Sequence, residues 1–189
     1  MFIGFIVSQI YKTDPHRFLV HYFCPMNLSK HFTLKELTES PTAKKLGIDN
    51  TPTKEHLDNM EYLCETVLEK VREHFGKPVT VNSCYRGPAL NKAIGGSSSS
   101  QHMVGQAADI EITGVTNKIL ADYIAENVDF DQVILEFYNP AEGANSGWVH
   151  VSCKKSGNRK QKLVALKDGS KTVYKPVTDF DPTNGYEQY

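Results

Sequence analysis

The longest hydrophobic pattern in the chain is helical and lies between residues 57 and 75. Apolar residues recur there at steps of three and four, which places them on one face of an amphipathic helix. This face consists of Leu57, Met60, Leu63, Cys64, Val67, Leu68, Val71 and Phe75. Thr51 and Pro52 offer a start for the helix, and Gly76 with Pro78 ends it. We therefore expect a long helix that packs on the core.

Alternation of polar and apolar residues predicts two strands that carry chemistry-bearing side chains. In residues 108–112, Asp109 and Glu111 share one face, and Ala108, Ile110 and Ile112 take the other. In residues 148–152, His150 lies on the polar face and two valines lie on the opposite face. Each of these strands can therefore hold one polar side chain rigidly above a half-buried sheet.

The remaining elements are shorter. They are a helix capped by Thr33 with Glu36, a strand over residues 79–81, a helix from Pro88 to the glycines at 95 and 96, a helix over residues 117–127 capped by Thr116, and a hairpin of residues 164–166 and 172–174. The inward face of the 117–127 helix is predicted to comprise Ile119, Leu120, Tyr123 and Ile124. Residues 179–185 read as a loose tail. The pattern indicates an α+β fold, with helices packed on one side of a small, mainly antiparallel sheet.

Composition fits one compact domain with no obvious polyanionic partner. The chain has 189 residues, of which 40% are hydrophobic, enough for one good core. The formal net charge of -1 gives no reason to expect nucleic acid or an anionic membrane as partner, and we expect a monomer. The four cysteines form no Cys-x-x-Cys pair, so neither a disulfide framework nor a cysteine metal site is predicted.

The sequence changes character near Met26. Residues 1–25 contain an apolar run too short to span a bilayer, and no clear cleavage site follows it. We expect residues 1–25 to be an N-terminal extension, residues 26–155 to form the main domain, and residues 156–189 to form a basic hairpin and C-terminal tail.

Two histidines and one aspartate form the candidate metal site. His102 precedes a glycine turn, and Asp109 and His150 lie on the two strands described above. Two imidazoles and a carboxylate, with a fourth position open to water, are the ligand set of a catalytic zinc ion. A histidine in a strand is more often an ordinary core or surface residue, so the wider motif must support the assignment.

Three sequence blocks provide that support. They are Ser100, His102, Gly105, Ala108 and Asp109; the segment from Ser83 to Asn91; and Trp148 to His150. Together they resemble the zinc D-alanyl-D-alanine carboxypeptidases and related peptidoglycan peptidases, which are metallopeptidases of family fifteen with a hedgehog-like fold. The resemblance covers residues 28–153 and implies one zinc ion per chain, held by His102, Asp109 and His150. It also implies that Arg86 grips a carboxylate or carbonyl oxygen of a peptidoglycan stem peptide.

The chain differs from the family pattern at the position of the general base. Many relatives carry an acidic residue three positions before the second zinc-binding histidine, and Gly147 occupies that position here. Alternation within residues 131–137 places Gln132, Ile134 and Glu136 on one face of a strand expected to neighbour the His150 strand. We predict Glu136 as the base, although it could instead support a ligand histidine. Glu111 and Glu142 are weaker alternatives.

Further substrate contacts are predicted at Ser100, which opens the motif, and at Gln132, which shares the face of Glu136. The resemblance favours a peptidase that acts on the cell wall, either a lysin that is cytoplasmic until release or an enzyme of the envelope or periplasm. The missing acid at position 147 leaves open a non-catalytic zinc-containing module that binds the wall. A purely structural zinc site is less consistent with only three protein ligands.

Overall fold

The computed structural model describes residues 26–143 and 145–180. The predicted N-terminal extension, Cys24 and most of the predicted tail lie outside these residues. Within them, one six-stranded sheet runs in the order β1-β2-β4-β3-β5-β6. Its strands are β1 (Thr80–Ser83), β2 (Ala107–Glu111), β3 (Gln132–Glu136), β4 (Trp148–Ser152), β5 (Gln161–Asp168) and β6 (Lys171–Pro176). All neighbouring pairs are antiparallel except β3 and β5, which are parallel. The predicted α+β class is confirmed.

The helices of the described residues precede or connect these strands. They are α1 (Leu34–Thr38), α2 (Pro41–Leu46), α3 (Lys54–Leu63), α4 (Glu69–Phe75), α5 (Pro88–Ala93) and α6 (Asn117–Asn127). A π-helical turn, Cys64–Leu68, joins α3 to α4, so the predicted amphipathic stripe runs through one nearly continuous helical segment. This segment begins at Lys54, and its N-cap Thr53 lies two residues after Thr51, where the start was predicted.

The helices and one face of the sheet enclose the main core. Alternate residues of the central strands enter it, including Ile110, Val133 and Val149. Ile119 was predicted to face inward, but this side chain is 52% exposed, because the buried stripe of α6 runs through Leu120, Ala121 and Ile124 instead. Phe180 is a further departure: it falls in the predicted loose tail, yet it is 1% exposed and belongs to the core.

The opposite face of the sheet carries a smaller apolar cluster and the polar side chains predicted to do chemistry. Ile134, Leu163 and Ala165 form this cluster. Directly opposed residues of neighbouring strands place their side chains on the same face, so the register determines which groups meet. The hairpin of β5 and β6 extends this face, because β5 joins the sheet beside β3.

Candidate metal centre and its cavity

His102 is fixed by a tight turn and by its own ring. It lies in a 3-10 turn, Gln101–Val104, that ends at Gly105 with a positive φ of 71°. A side chain at Gly105 would meet the carbonyl oxygen of His56 at 2.6 Å, so glycine is required for this close approach. The His102 ring is 1% exposed, and its Nδ1 donates to the carbonyl oxygen of Cys84 at 2.6 Å. The Nε2 atom is left as the ligand atom, since a neutral imidazole has one donor and one acceptor.

Strand pairing brings Asp109 and His150 together. The two residues are directly opposed in the antiparallel pair β2 and β4, which places both side chains on the same face. The Nδ1 atom of His150 lies 2.9 Å from Oδ1 of Asp109. Both residues are buried, so the backbone of two central strands and the surrounding packing hold their positions.

Three potential ligand atoms therefore form a small triangle. The Nε2 atom of His102 is 3.2 Å from Nδ1 of His150 and 3.2 Å from Oδ1 of Asp109. Tetrahedral zinc with bonds of about 2.0 Å separates its ligand atoms by about 3.3 Å. The edges of the triangle thus fit the ligand sphere of a zinc ion with little movement, and within the described residues these three form the candidate metal cluster.

The electrostatic state of the triangle also suits a cation. Burial lowers the pKa of His102, which favours the neutral ring that metal coordination needs. Burial opposes ionisation of Asp109, but its contacts with His102 and His150 outweigh this and hold the pKa of Asp109 well below its usual range. A neutral imidazole beside an ionised carboxylate is a ready set of metal ligands.

Arg86 borders the triangle and has an unused donor. Its Nη1 lies 3.5 Å from Oδ2 of Asp109, and its backbone N–H donates to the carbonyl oxygen of His102. The Nε–H is buried and has no hydrogen-bond partner within the described residues. Because a buried polar group without a partner is costly, we expect this donor to bond an oxygen atom of water or of a ligand.

Glu136 lies on the same sheet face as the triangle. Its strand neighbours the His150 strand, as expected, and the register of the pair sets Ile134 opposite His150 and Glu136 opposite Trp148. Burial, together with the negative charge of Asp109, raises the pKa of Glu136 to about 7. A carboxyl group with a pKa near neutrality can both accept and return a proton.

The structure gives a steric reason for the glycine at position 147. Gly147 has a φ of 65°, and a Cβ atom there would lie 1.9 Å from the carbonyl oxygen of Glu136. No side chain can occupy this position without displacing the end of β3. The space that an acidic residue at position 147 would need is thus taken by the main chain that carries Glu136.

An open cavity of about 820 Å³ contains the triangle, Arg86 and Glu136. Ser100 and Gln132 also line it, although the Gln132 amide donates to the side chain of Gln161 at 2.7 Å. The alternative bases lie elsewhere. The carboxylate of Glu111 accepts a hydrogen bond from Asn82, and that of Glu142 accepts one from Asn139.

Several groups that line the cavity were not predicted from the sequence. Asp131 is fully buried and paired with Lys154 at 3.0 Å and with Arg159 at 2.5 Å. Tyr174 reaches the cavity from β6. Alternation could have placed Asp131 next to the start of β3. Its partners Lys154 and Arg159 lie in the turn after β4, and the sequence of that turn has no readable signal. For Tyr174 the signal was weaker still, since nothing in the sequence shows that β5 pairs with β3.

The buried His-Asp-His triangle opens to a cavity that also contains an arginine and a glutamate with a pKa near neutrality. This arrangement defines a metallohydrolase type of centre. The Peptidase M15 family model matches residues 30–152, which is most of the described chain. The chain belongs to the Peptidase M15 family. It is 46% identical over 44 residues to the zinc D-Ala-D-Ala carboxypeptidase of Streptomyces albus G. That segment makes up 23% of this chain and 17% of the relative, so the chain covers only a small part of the relative's length.

Proposed function

We propose that the protein is a zinc-dependent peptidase that cleaves peptidoglycan stem peptides. The observation that carries the proposal is the triangle of His102, Asp109 and His150, which opens on the same cavity as Arg86 and Glu136. The M15 family and the name of the zinc carboxypeptidase relative support the metal and the substrate class. The bond cleaved is either the terminal D-Ala-D-Ala bond or another bond of the stem peptide.

Each ligand residue offers a defined atom to the metal. His102 would bind through Nε2, His150 through Nδ1 and Asp109 through a carboxylate oxygen. A bound zinc ion supplies Lewis acidity, which polarises a carbonyl group and lowers the pKa of water. The Cys84 carbonyl keeps the His102 ring in the required orientation and tautomer.

Arg86 would orient the substrate. Its side chain is 18% exposed and lines the cavity beside Asp109, and its Nε donor is unused within the described residues. A planar guanidinium can hold a carboxylate through two parallel hydrogen bonds, or a single carbonyl oxygen through one. A terminal carboxylate is the group expected of a carboxypeptidase substrate, and a peptide carbonyl is expected for an endopeptidase. Ser100 and Gln132 provide further polar contacts on the cavity wall.

Glu136 would perform the proton transfer. It shares the cavity with the ligands, and burial brings its pKa to about 7, close to a neutral working pH. We infer that it accepts a proton from the attacking water and returns it to the leaving amine. This role compensates for the acid that Gly147 cannot supply.

The absence of an acid at position 147 also keeps a second function open, a zinc-containing module that binds the cell wall without cleaving it. The two functions differ in whether any peptide bond is broken. The synthetic pentapeptide L-Ala-γ-D-Glu-L-Lys-D-Ala-D-Ala contains both D-Ala-D-Ala and L-Ala-D-Glu bonds, so mass spectrometry of its products identifies the bond. Intact sacculi should be tested in parallel for solubilisation.

Glu136→Gln should reduce turnover of this pentapeptide on the order of a hundredfold to ten-thousandfold, which is the usual contribution of a general acid or base. Zinc content should stay unchanged, because Glu136 is not among the three ligands. Glu111→Gln is the matched control, since its carboxylate lies on β2 and bonds Asn82. Full activity of Glu136→Gln would place the base elsewhere, and loss of zinc would assign Glu136 to support of a ligand. An inactive but peptide-binding wild-type protein would favour the wall-binding module.

A further inference from the structure

A row of four directly opposed residues crosses the sheet beside the metal site. Trp148 opposes Glu136, Glu136 opposes Ala165, and Ala165 opposes Tyr174. Side chains in such a row lie on the same face of the sheet, which here is the face of the cavity. Tyr174 therefore ends the row that contains the proposed base. Only Ala165, which has a single methyl group, separates the two.

The surroundings of Tyr174 indicate that its ring lies over this row. Tyr174 lines the cavity although it belongs to the edge strand β6. Ala165 has no exposed surface, and its neighbours in the row are Glu136 and Tyr174. Tyr174 is nevertheless 51% exposed, so it is accessible from solvent. An exposed aromatic residue in this position is available to a ligand.

Tyr174 shares the cavity with the charged groups of the site and is close enough to feel their charge. Burial and the negative charges of Glu136 and Asp109 raise the pKa of Tyr174, and Arg86 opposes this shift. The phenol thus keeps its proton at neutral pH and can donate a hydrogen bond. Within the described residues, no hydrogen bond from this hydroxyl to the protein is formed.

We propose that Tyr174 is a substrate-positioning residue whose hydroxyl donates a hydrogen bond to a backbone carbonyl or carboxylate oxygen of the stem peptide. This inference rests on the proposed function and adds a contact from β6, beyond the family match that ends at residue 152. Arg86 approaches the substrate from the β1 side of the triangle and Tyr174 from the opposite edge of the sheet. The two donors would hold the peptide across the cavity.

The direct test is binding of the pentapeptide to zinc-loaded protein without turnover. Glu136→Gln serves as the parent, and Glu136→Gln with Tyr174→Phe removes only the hydroxyl. A hydrogen bond contributes about 0.5–1.5 kcal/mol, so isothermal titration should give a Kd raised about twofold to twelvefold by the second substitution. In the enzyme with Glu136 intact, Tyr174→Phe should raise KM by a similar factor and leave kcat nearly unchanged.

Thr172→Val is the matched control, because Thr172 lies on the same face of the same strand but does not line the cavity. It should leave Kd and KM unchanged. An equal Kd for Glu136→Gln with and without Tyr174→Phe would overturn the role of Tyr174 and leave the proposed function standing. Failure of the parent to bind the pentapeptide at all would instead overturn the proposed substrate and the inference with it. Because Tyr174→Phe keeps the ring, loss of folding does not obscure either result.

Discussion

Gly147 and Glu136 meet at the point where β4 begins and β3 ends. The carbonyl oxygen of Glu136 occupies the space that a side chain at position 147 would need. The positive φ of Gly147 adds a second reason for glycine, since side chains are disfavoured in that conformation. Glycine at position 147 thus leaves no room for an acid there and allows the main chain of Glu136 to pass close by.

Gly147→Ala should therefore destabilise the protein well beyond the cost of the backbone conformation alone. Gly157→Ala is the control, since Gly157 has a φ of 69° and open space around its Cα. Both substitutions incur the conformational cost of about 1–2 kcal/mol, but only the first meets a main-chain oxygen. We expect guanidinium denaturation to show Gly147→Ala at least about 2 kcal/mol less stable than Gly157→Ala. Equal losses would mean that the contact at Gly147 relaxes freely.

The raised pKa of Glu136 predicts a pH-dependent stability of the metal-free protein. The folded chain binds this proton more tightly than the unfolded chain, whose carboxyl titrates near 4.5. The protonated Glu136 therefore contributes to the stability of the folded chain fully below about pH 4.5, and this contribution is lost as the pH rises through about 7. Glu136→Gln cannot ionise, so it should gain on the order of 1 to 3 kcal/mol over wild type between pH 4 and pH 8. Denaturant unfolding of the metal-free wild type and variant at pH 4 and pH 8 tests this prediction. An equal difference in stability at the two pH values would contradict the raised pKa of Glu136.

At the scale of elements, local pattern predicted most of the strands and helices but not their order in the sheet. The alternation around Asp109, His150 and Glu136 placed these side chains on the correct faces, because a period of two depends only on local backbone geometry. The convergence of His102 with the strands followed from the family motif rather than from periodicity. The parallel pairing of β5 with β3 depends on tertiary packing, which no local pattern encodes. Tyr174 was missed for this reason, and the pairing of Asp131 with Arg159 was missed because the turn after β4 has no readable signal.

Phe180 shows how packing overrides local composition. The polar residues around it indicated a tail, but its side chain is buried in the main core. Phe180→Ala should destabilise the protein by about 3–5 kcal/mol, as expected when a large buried aromatic side chain is removed. Thr178→Ala, an exposed position two residues earlier, should cost little. Similar melting temperatures for the two variants would show that residues after β6 contribute nothing to the core.

At the scale of the whole molecule, the proposed metal centre draws on separate parts of the sheet. Its proposed ligands come from a turn and two central strands, and the hairpin of β5 and β6 contributes residues to the same cavity. Within the described residues no helix is long and apolar enough to cross a membrane. A ligand that binds only the assembled site stabilises the folded chain by mass action. Zinc should therefore raise the melting temperature, and a chelator should lower it.

The central claim is that His102, Asp109 and His150 bind one zinc ion. Elemental analysis of purified protein measures this most directly, with His102→Ala, Asp109→Ala and His150→Ala compared with wild type and with Arg86→Ala. Wild type and Arg86→Ala should each contain one zinc ion per chain, because Arg86 lies beside the triangle without contributing a ligand. Each of the three ligand variants should lose the metal together with activity. Retention of a full zinc complement by both His102→Ala and His150→Ala would contradict the proposed site and the function that rests on it.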